Sequence, residues 1–178
     1  MKAEKNANTA AKHIAEVLKA CSTDGEQAIA SQAVAAVLRL VPDWRPDGEV
    51  SGLLALLEQV PHFLPERDML RELAFVPAWV HLVPPSCAGG VLRVLVAMVM
   101  STTSETPLTS LAEVACEAIA VLSRPDDEED LTTLETSDLT EAIAWGVEQL
   151  MGKAEVTSLP IWPLFLTQLA VQCAQVRL

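Results

Sequence analysis

The stretch Ser110-Leu-Ala-Glu113-Val-Ala-Cys116-Glu117-Ala-Ile-Ala-Val-Leu122 places Leu111, Val114, Ala115, Ala118 and Leu122 three or four residues apart, the spacing of one face of an α-helix. Ser110 followed three residues later by Glu113 is a capping-box pattern, in which each side chain satisfies a backbone N–H that the first helical turn leaves open, so a helix is expected to start there. The same grammar recurs in both directions. Upstream, Ile14, Val17, Leu18 and Cys21 form an apolar stripe within Thr9 to Cys21. A second box, Thr23 with Glu26, opens a helix carrying Ala30, Val34, Val37, Leu38 and Val41, which Pro42 ends.

After a turn-rich connector, Ser51 is expected to cap a short helix holding Leu53, Leu54, Leu56 and Leu57, closed by Pro61. Pro65 suits the first turn of a helix through Leu70 and Leu73, and Pro77 and Pro84-Pro85 interrupt the stretch after it. Gly89-Gly90 leads into Val91 to Met100, a run with Leu92, Leu95, Val96 and Val99. Downstream, Asp138 with Glu141 is a third box, and the helix behind it turns Ile143, Val147 and Leu150 inward until Gly152. Past Pro160 and Pro163, the last helix places Leu166, Leu169, Ala170 and Cys173 on one side and Gln168, Gln172 and Gln175 on the other.

Composition agrees with this pattern. Apolar residues are 51% of the 178, aromatics only 4% with no Tyr, so the chain is rich in helix formers and poor in the residues of a β sandwich. Its length suits a single helical domain, residues 1–178, with a core of its own, although it is also compatible with one domain of a larger protein. Residues 124–136 form an acidic connector with five consecutive acids, Asp126 to Asp130, expected to be a solvated, mobile loop.

The 24 acidic against 12 basic residues give a formal charge of −12. That charge disfavours a phosphate backbone or an anionic membrane and favours a basic or amphipathic protein segment as partner. Cys21, Cys87, Cys116 and Cys173 lie far apart, the pattern of isolated thiols in a reducing compartment. Cys21, Cys116 and Cys173 are expected to be buried on helices, with Cys87 the most accessible. No apolar leader or membrane-length run is visible, so an intracellular location, cytoplasmic or nuclear, is expected.

Helix pairs begin near Thr9, Ser51, Ala88 and Ser137, intervals that scatter around the ~40-residue period of helical-hairpin repeats. Within this frame, Glu141-Ala-Ile-Ala-Trp145-Gly-Val-Glu-Gln149-Leu-Met-Gly152 resembles the third helix of an armadillo repeat of the importin-α type, with Glu141, Trp145 and Gly152 at matching places. Gly89 to Val96 and Glu113 to Ser123 together resemble the second and third helices of such a repeat, with Glu117 at the Trp position and Val121 at the Asn position. The resemblance implies an all-α fold of antiparallel hairpins stacked as a short α-solenoid with a concave protein-binding surface. A compact helical bundle is the alternative that spacing leaves open. Gln149 stands where the family has Asn, and the Trp–Asn ladder is not repeated, so nuclear import is not implied.

Helix geometry puts Glu141, Trp145, Glu148 and Gln149 away from the apolar stripe, and an exposed indole among acids can hold the stem and charge of a Lys or Arg. The plainer reading packs Trp145 against a neighbouring helix. In a repeat stack, Glu113 and Glu117 would extend the same acidic strip, whereas alone they are an ordinary solvated face.

His13, His62 and His81 are scattered, with no metal-ligand spacing among them and the cysteines. No phosphate-binding glycine loop or nucleophile elbow occurs, so neither metal, cofactor nor catalytic site is expected. Two functions remain. One is an interaction module, a scaffold or adaptor subunit of a larger complex; the other is a stand-alone acidic inhibitor, immunity-type or nucleic-acid-mimicking, that blocks a basic active site.

Overall fold

The computed structural model describes residues 2–21, 24–39, 51–63, 73, 76–83, 85–124 and 133–175. Among them the fold is all-α, with no strand. The helices are α1 (Lys2–Ala20), α2 (Asp24–Leu38), α3 (Ser51–Leu57), α4 (Val60–Phe63) and α5 (Val76–Trp79), the last running into a 3-10 turn at Val80–Leu82. They continue with α6 (Pro85–Ser101), α7 (Glu105–Leu122), α8 (Thr133–Gly152), α9 (Ala154–Thr157) and α10 (Ile161–Gln175).

Packing arranges these helices in two rows. α1 packs on α3, α3 on α6, and α6 on α8, the most extensive contact among the described helices. The second row is α7 with α5 and α10 against it, while α4 packs on α2, which touches α1. α7 also packs along α6, joining the rows. The connection from α6 to α7 is only Thr102 to Ser104, which makes them an antiparallel hairpin. α6 and α8 run the same way, since Gly89 lies by Asp138 and Ala142, Leu92 and Val96 by Gly146, and Val99 to Thr102 by Lys153.

Small residues set the closeness of the first row. A Cβ on Gly89 would lie 3.0 Å from Asp138 Oδ2 and 3.3 Å from the Ala142 Cβ, and one on Gly90 would lie 3.1 Å from Leu54 Cδ1. Gly89 thus faces α8 while Gly90 faces α3, and α6 is wedged between them. The pair does not introduce the helix, as its sequence suggests, but sits inside it; α6 starts at Pro85, whose missing N–H costs nothing in a first turn. The core between the rows is built from Leu53, Leu56, Leu92, Leu95, Val96, Met98, Leu111, Ile119 and Leu150, all essentially inaccessible.

Two of the three capping boxes do not cap. α7 begins at Glu105, and its first helical bond runs from the Leu108 N–H to the Ser104 carbonyl (3.0 Å), leaving Ser110 in the interior. Pro107 is tolerated there because first-turn residues need no N–H. α8 begins at Thr133, so the Asp138 carboxylate, five residues in, binds a neighbouring helix instead. The acidic connector is correspondingly shorter than expected: Thr133 to Thr136 are helical, and residues 125–132 lie outside the described ones, as does Thr23 of the remaining box. Within α10 the buried stripe is also rotated. Trp162 and Phe165 are buried with Leu169 half-buried, while Leu166 and Ala170 are exposed, because the two largest side chains claim the contact with α7.

Of the thiols, Cys116 is 2% exposed and Cys21 and Cys87 are both half-buried. Cys21 is less protected than its stripe suggests because it lies just past the end of α1, where its Sγ meets the Val17 carbonyl at 3.4 Å. The Cys173 side chain lies outside the described ones. Burial, with the Glu113 charge adding, pushes the Cys116 thiol up to about 12, which denies it the reactive thiolate. A maleimide reagent in native buffer is therefore expected to label Cys87 and Cys21 while Cys116 stays unmodified until denaturant is added, as read by peptide mass spectrometry. Fast native labelling of Cys116 would show that α7 is not in the core.

Candidate partner-binding surface

α8 acquires two unlike faces from its sequence. Toward α6 and α7 it presents Ala142, Gly146 and Leu150, all buried; a Cβ on Gly146 would meet Val96 Cγ2 at 3.3 Å and Ile119 Cδ1 at 3.6 Å. Ile143 and Val147, expected fully inward, are half-buried on the flank. With so little side chain on the inner face the helix sits deep, and its larger side chains turn outward. Glu141, Trp145 and Glu148 are exposed and Gln149 is half-buried, within about 100° of the helix circumference. Trp145 is 36% exposed, so part of the indole rests on the protein and part is open to solvent.

Asp138 heads the same stripe, and Arg93 of α6 reaches it with Nη2 2.9 Å from Oδ1 and Nη1 3.5 Å from Oδ2. That hydrogen bond holds the Arg93 guanidinium above its usual value against the opposing effect of partial burial, and the charges of Asp138 and Glu141 add to it. Both partners are substantially solvated, so the pair contributes little stability. Its consequence is local charge: the guanidinium stands against the carboxylates of Asp138 and Glu141. The side chains of Glu141, Glu148 and Gln149 make no hydrogen bond or ion pair with the described residues.

Glu113 and Glu117 are exposed too, but elsewhere. Ile119 points from α7 toward Gly146 of α8, and at about 100° per residue Glu113 and Glu117 lie roughly 120° and 160° around α7 from it. They therefore face away from α8, on the outer side of the second row, and the strip that the spacing suggested is divided between two surfaces. The reason is the neighbour relation: α8 lies alongside α6, not in line with α7. Conversely, Arg93 and Asp138 join the surface, which the periodicity of α8 alone does not reveal. The sequence does hold a signal for it, since Arg93 is the one charge in the apolar run Ala88 to Met100, and a charge placed so has to find a partner.

No group of three His, Cys, Asp or Glu among the described residues could hold a metal ion, and no described helix is long and apolar enough to cross a membrane. No known protein family, curated protein or solved structure matches the chain.

Proposed function

We propose that this protein is an interaction module, a scaffold or adaptor subunit that binds a basic or amphipathic segment of another protein along the Glu141–Trp145–Glu148–Gln149 face of α8. The observation that carries this reading is Trp145, an indole left partly open to solvent on α8 where it packs along α6, flanked by the exposed carboxylates of Glu141 and Glu148. Such a side chain costs little entropy to immobilise and covers much apolar area in a partner. A Lys or Arg laid over the indole would find its stem covered by the ring and its charge met by Glu141 or Glu148.

A stacked-hairpin architecture, the armadillo-like reading, is supported by two features. The four helix-pair starts inferred from spacing fall in α1, α3, α6 and α8, which are the successive members of the first row, and α6 and α8 run parallel as corresponding helices of adjacent repeats do. One observation favours the second function, the acidic inhibitor: Glu113 and Glu117 carry charge on the opposite surface, as blocking a basic site through charge alone would use. Kinetics separate the two.

Panning a random peptide library on the immobilised protein is expected to enrich Lys- or Arg-containing sequences with an apolar neighbour. Glu141→Lys with Glu148→Lys should then slow association of the enriched peptide about tenfold at low salt and flatten its salt dependence. Equal slowing by Glu113→Lys with Glu117→Lys would favour the inhibitor reading, and enrichment of acidic or uncharged peptides would overturn the first.

A further inference from the structure

We propose that the outward face of α10 is the surface through which two copies of this chain pair. α10 is held by a narrow stripe, Trp162 and Phe165, whose rings sit 5.4 Å apart, with Leu169 half-buried beside them. Apart from half-buried Ile161, its other described side chains face solvent, and they include the apolar Leu164, Leu166 and Val171 as well as Thr167 and Gln168. Leu164 is 67% exposed and Val171 53%. Leu164, Thr167, Gln168 and Val171 fall at i, i+3, i+4 and i+7, all exposed, an uncharged stripe with an apolar residue at each end. A helix with apolar side chains on more than one face normally lies between two layers, and among the described residues the main packing of α10 is against α7 alone.

Charge identifies the occupant. Ile161–Gln175 contains no charged residue, whereas every other described helix of comparable length carries at least one, in a chain with 24 acidic and 12 basic residues. A basic partner gains nothing on such a face. A second copy gains most, because α10 is where two chains of like charge can meet without apposing carboxylates. Two-fold pairing brings the same residues together, and Gln168, whose amide both donates and accepts, can bond its own symmetry mate. This surface is separate from the Trp145 face of α8.

Sedimentation velocity of the full chain from micromolar to millimolar concentration tests the proposal. A reversible monomer–dimer equilibrium is expected that tightens as salt is raised, because salt screens the repulsion between the two acidic bodies. Leu164→Glu with Val171→Glu should weaken it at least about tenfold while leaving the circular dichroism spectrum unchanged, and Gln168→Lys, which leaves the apolar contacts in place, should weaken it as well. Trp145→Ala should not affect it. A monomer at every concentration, a dimer indifferent to all three α10 substitutions, or one that loosens with salt would overturn the proposal.

Discussion

Gly52→Ala is expected to destabilise the protein by about 3 kcal/mol, although alanine is the better helix former by roughly 1 kcal/mol. Gly52 opens α3 against α1, and its N–H donates to the Asn8 Oδ1 at 2.7 Å. A Cβ there would penetrate the Asn8 carbonyl oxygen and lie 2.7 Å from Oδ1 and 2.9 Å from the carbonyl carbon. Two of those atoms are backbone, so the clash cannot be relieved by a rotamer change; α1 would have to move off α3, opening the first contact of the row. Asn8→Ala, which removes only the side-chain acceptor, should cost about 1 kcal/mol. Urea denaturation of both variants measures the difference. A Gly52→Ala protein as stable as the parent would mean that α1 does not lie against α3 at this register.

Lys153→Met should cost about 2 to 3 kcal/mol and act at a distance along the chain. Lys153 stands between α8 and α9, and its ammonium donates to the carbonyl oxygens of Val99 (2.8 Å), Met100 (3.2 Å) and Thr102 (2.7 Å). Val99 and Met100 lie in the last turn of α6 and Thr102 just beyond it, where carbonyls lack an i+4 partner and the helix dipole favours a cation. The Val99 carbonyl also accepts from the Thr102 N–H at 3.3 Å. Thr102 supports the same turn, its buried hydroxyl donating to the Met98 carbonyl at 2.8 Å. Methionine keeps the apolar stem and removes every donor, so three carbonyls lose a charge-assisted bond, one of them already near solvent. The loss should appear as a lower urea midpoint and as faster amide exchange at residues 98–104. A change under about 0.5 kcal/mol would show that water caps α6 as well as Lys153 does.

The helical class and the positions of most helices were legible because apolar period and proline punctuation are local signals. What local signals cannot carry is the neighbour of each face. Ser110 with Glu113 and Asp138 with Glu141 have the spacing of helix starts, yet both lie within longer helices, since upstream residues extend α7 and α8 and Asp138 is drawn to Arg93. Gly89-Gly90 reads as the lead-in to a helix until Asp138 and Leu54 are found where their side chains would be. In α10, Leu166 and Leu169 look equivalent on a helical wheel; the bulk of Trp162 and Phe165 decides between them. For the candidate surface, the outward stripe of α8 was legible in its own sequence, but the separation of Glu113 and Glu117 from it depends on the pairing of α8 with α6, which no single helix encodes.

Trp145→Ala, measured for both stability and binding in one preparation, tests the functional assignment most directly. If the exposed indole is the anchor of a partner-binding face, the melting temperature should stay within about 2 °C of the parent, while affinity for a basic peptide recovered from the library falls about thirtyfold, the equivalent of about 2 kcal/mol. A sharp drop in melting temperature, with the remaining folded protein binding that peptide as tightly as before, would make Trp145 a core residue and remove the basis of the functional assignment.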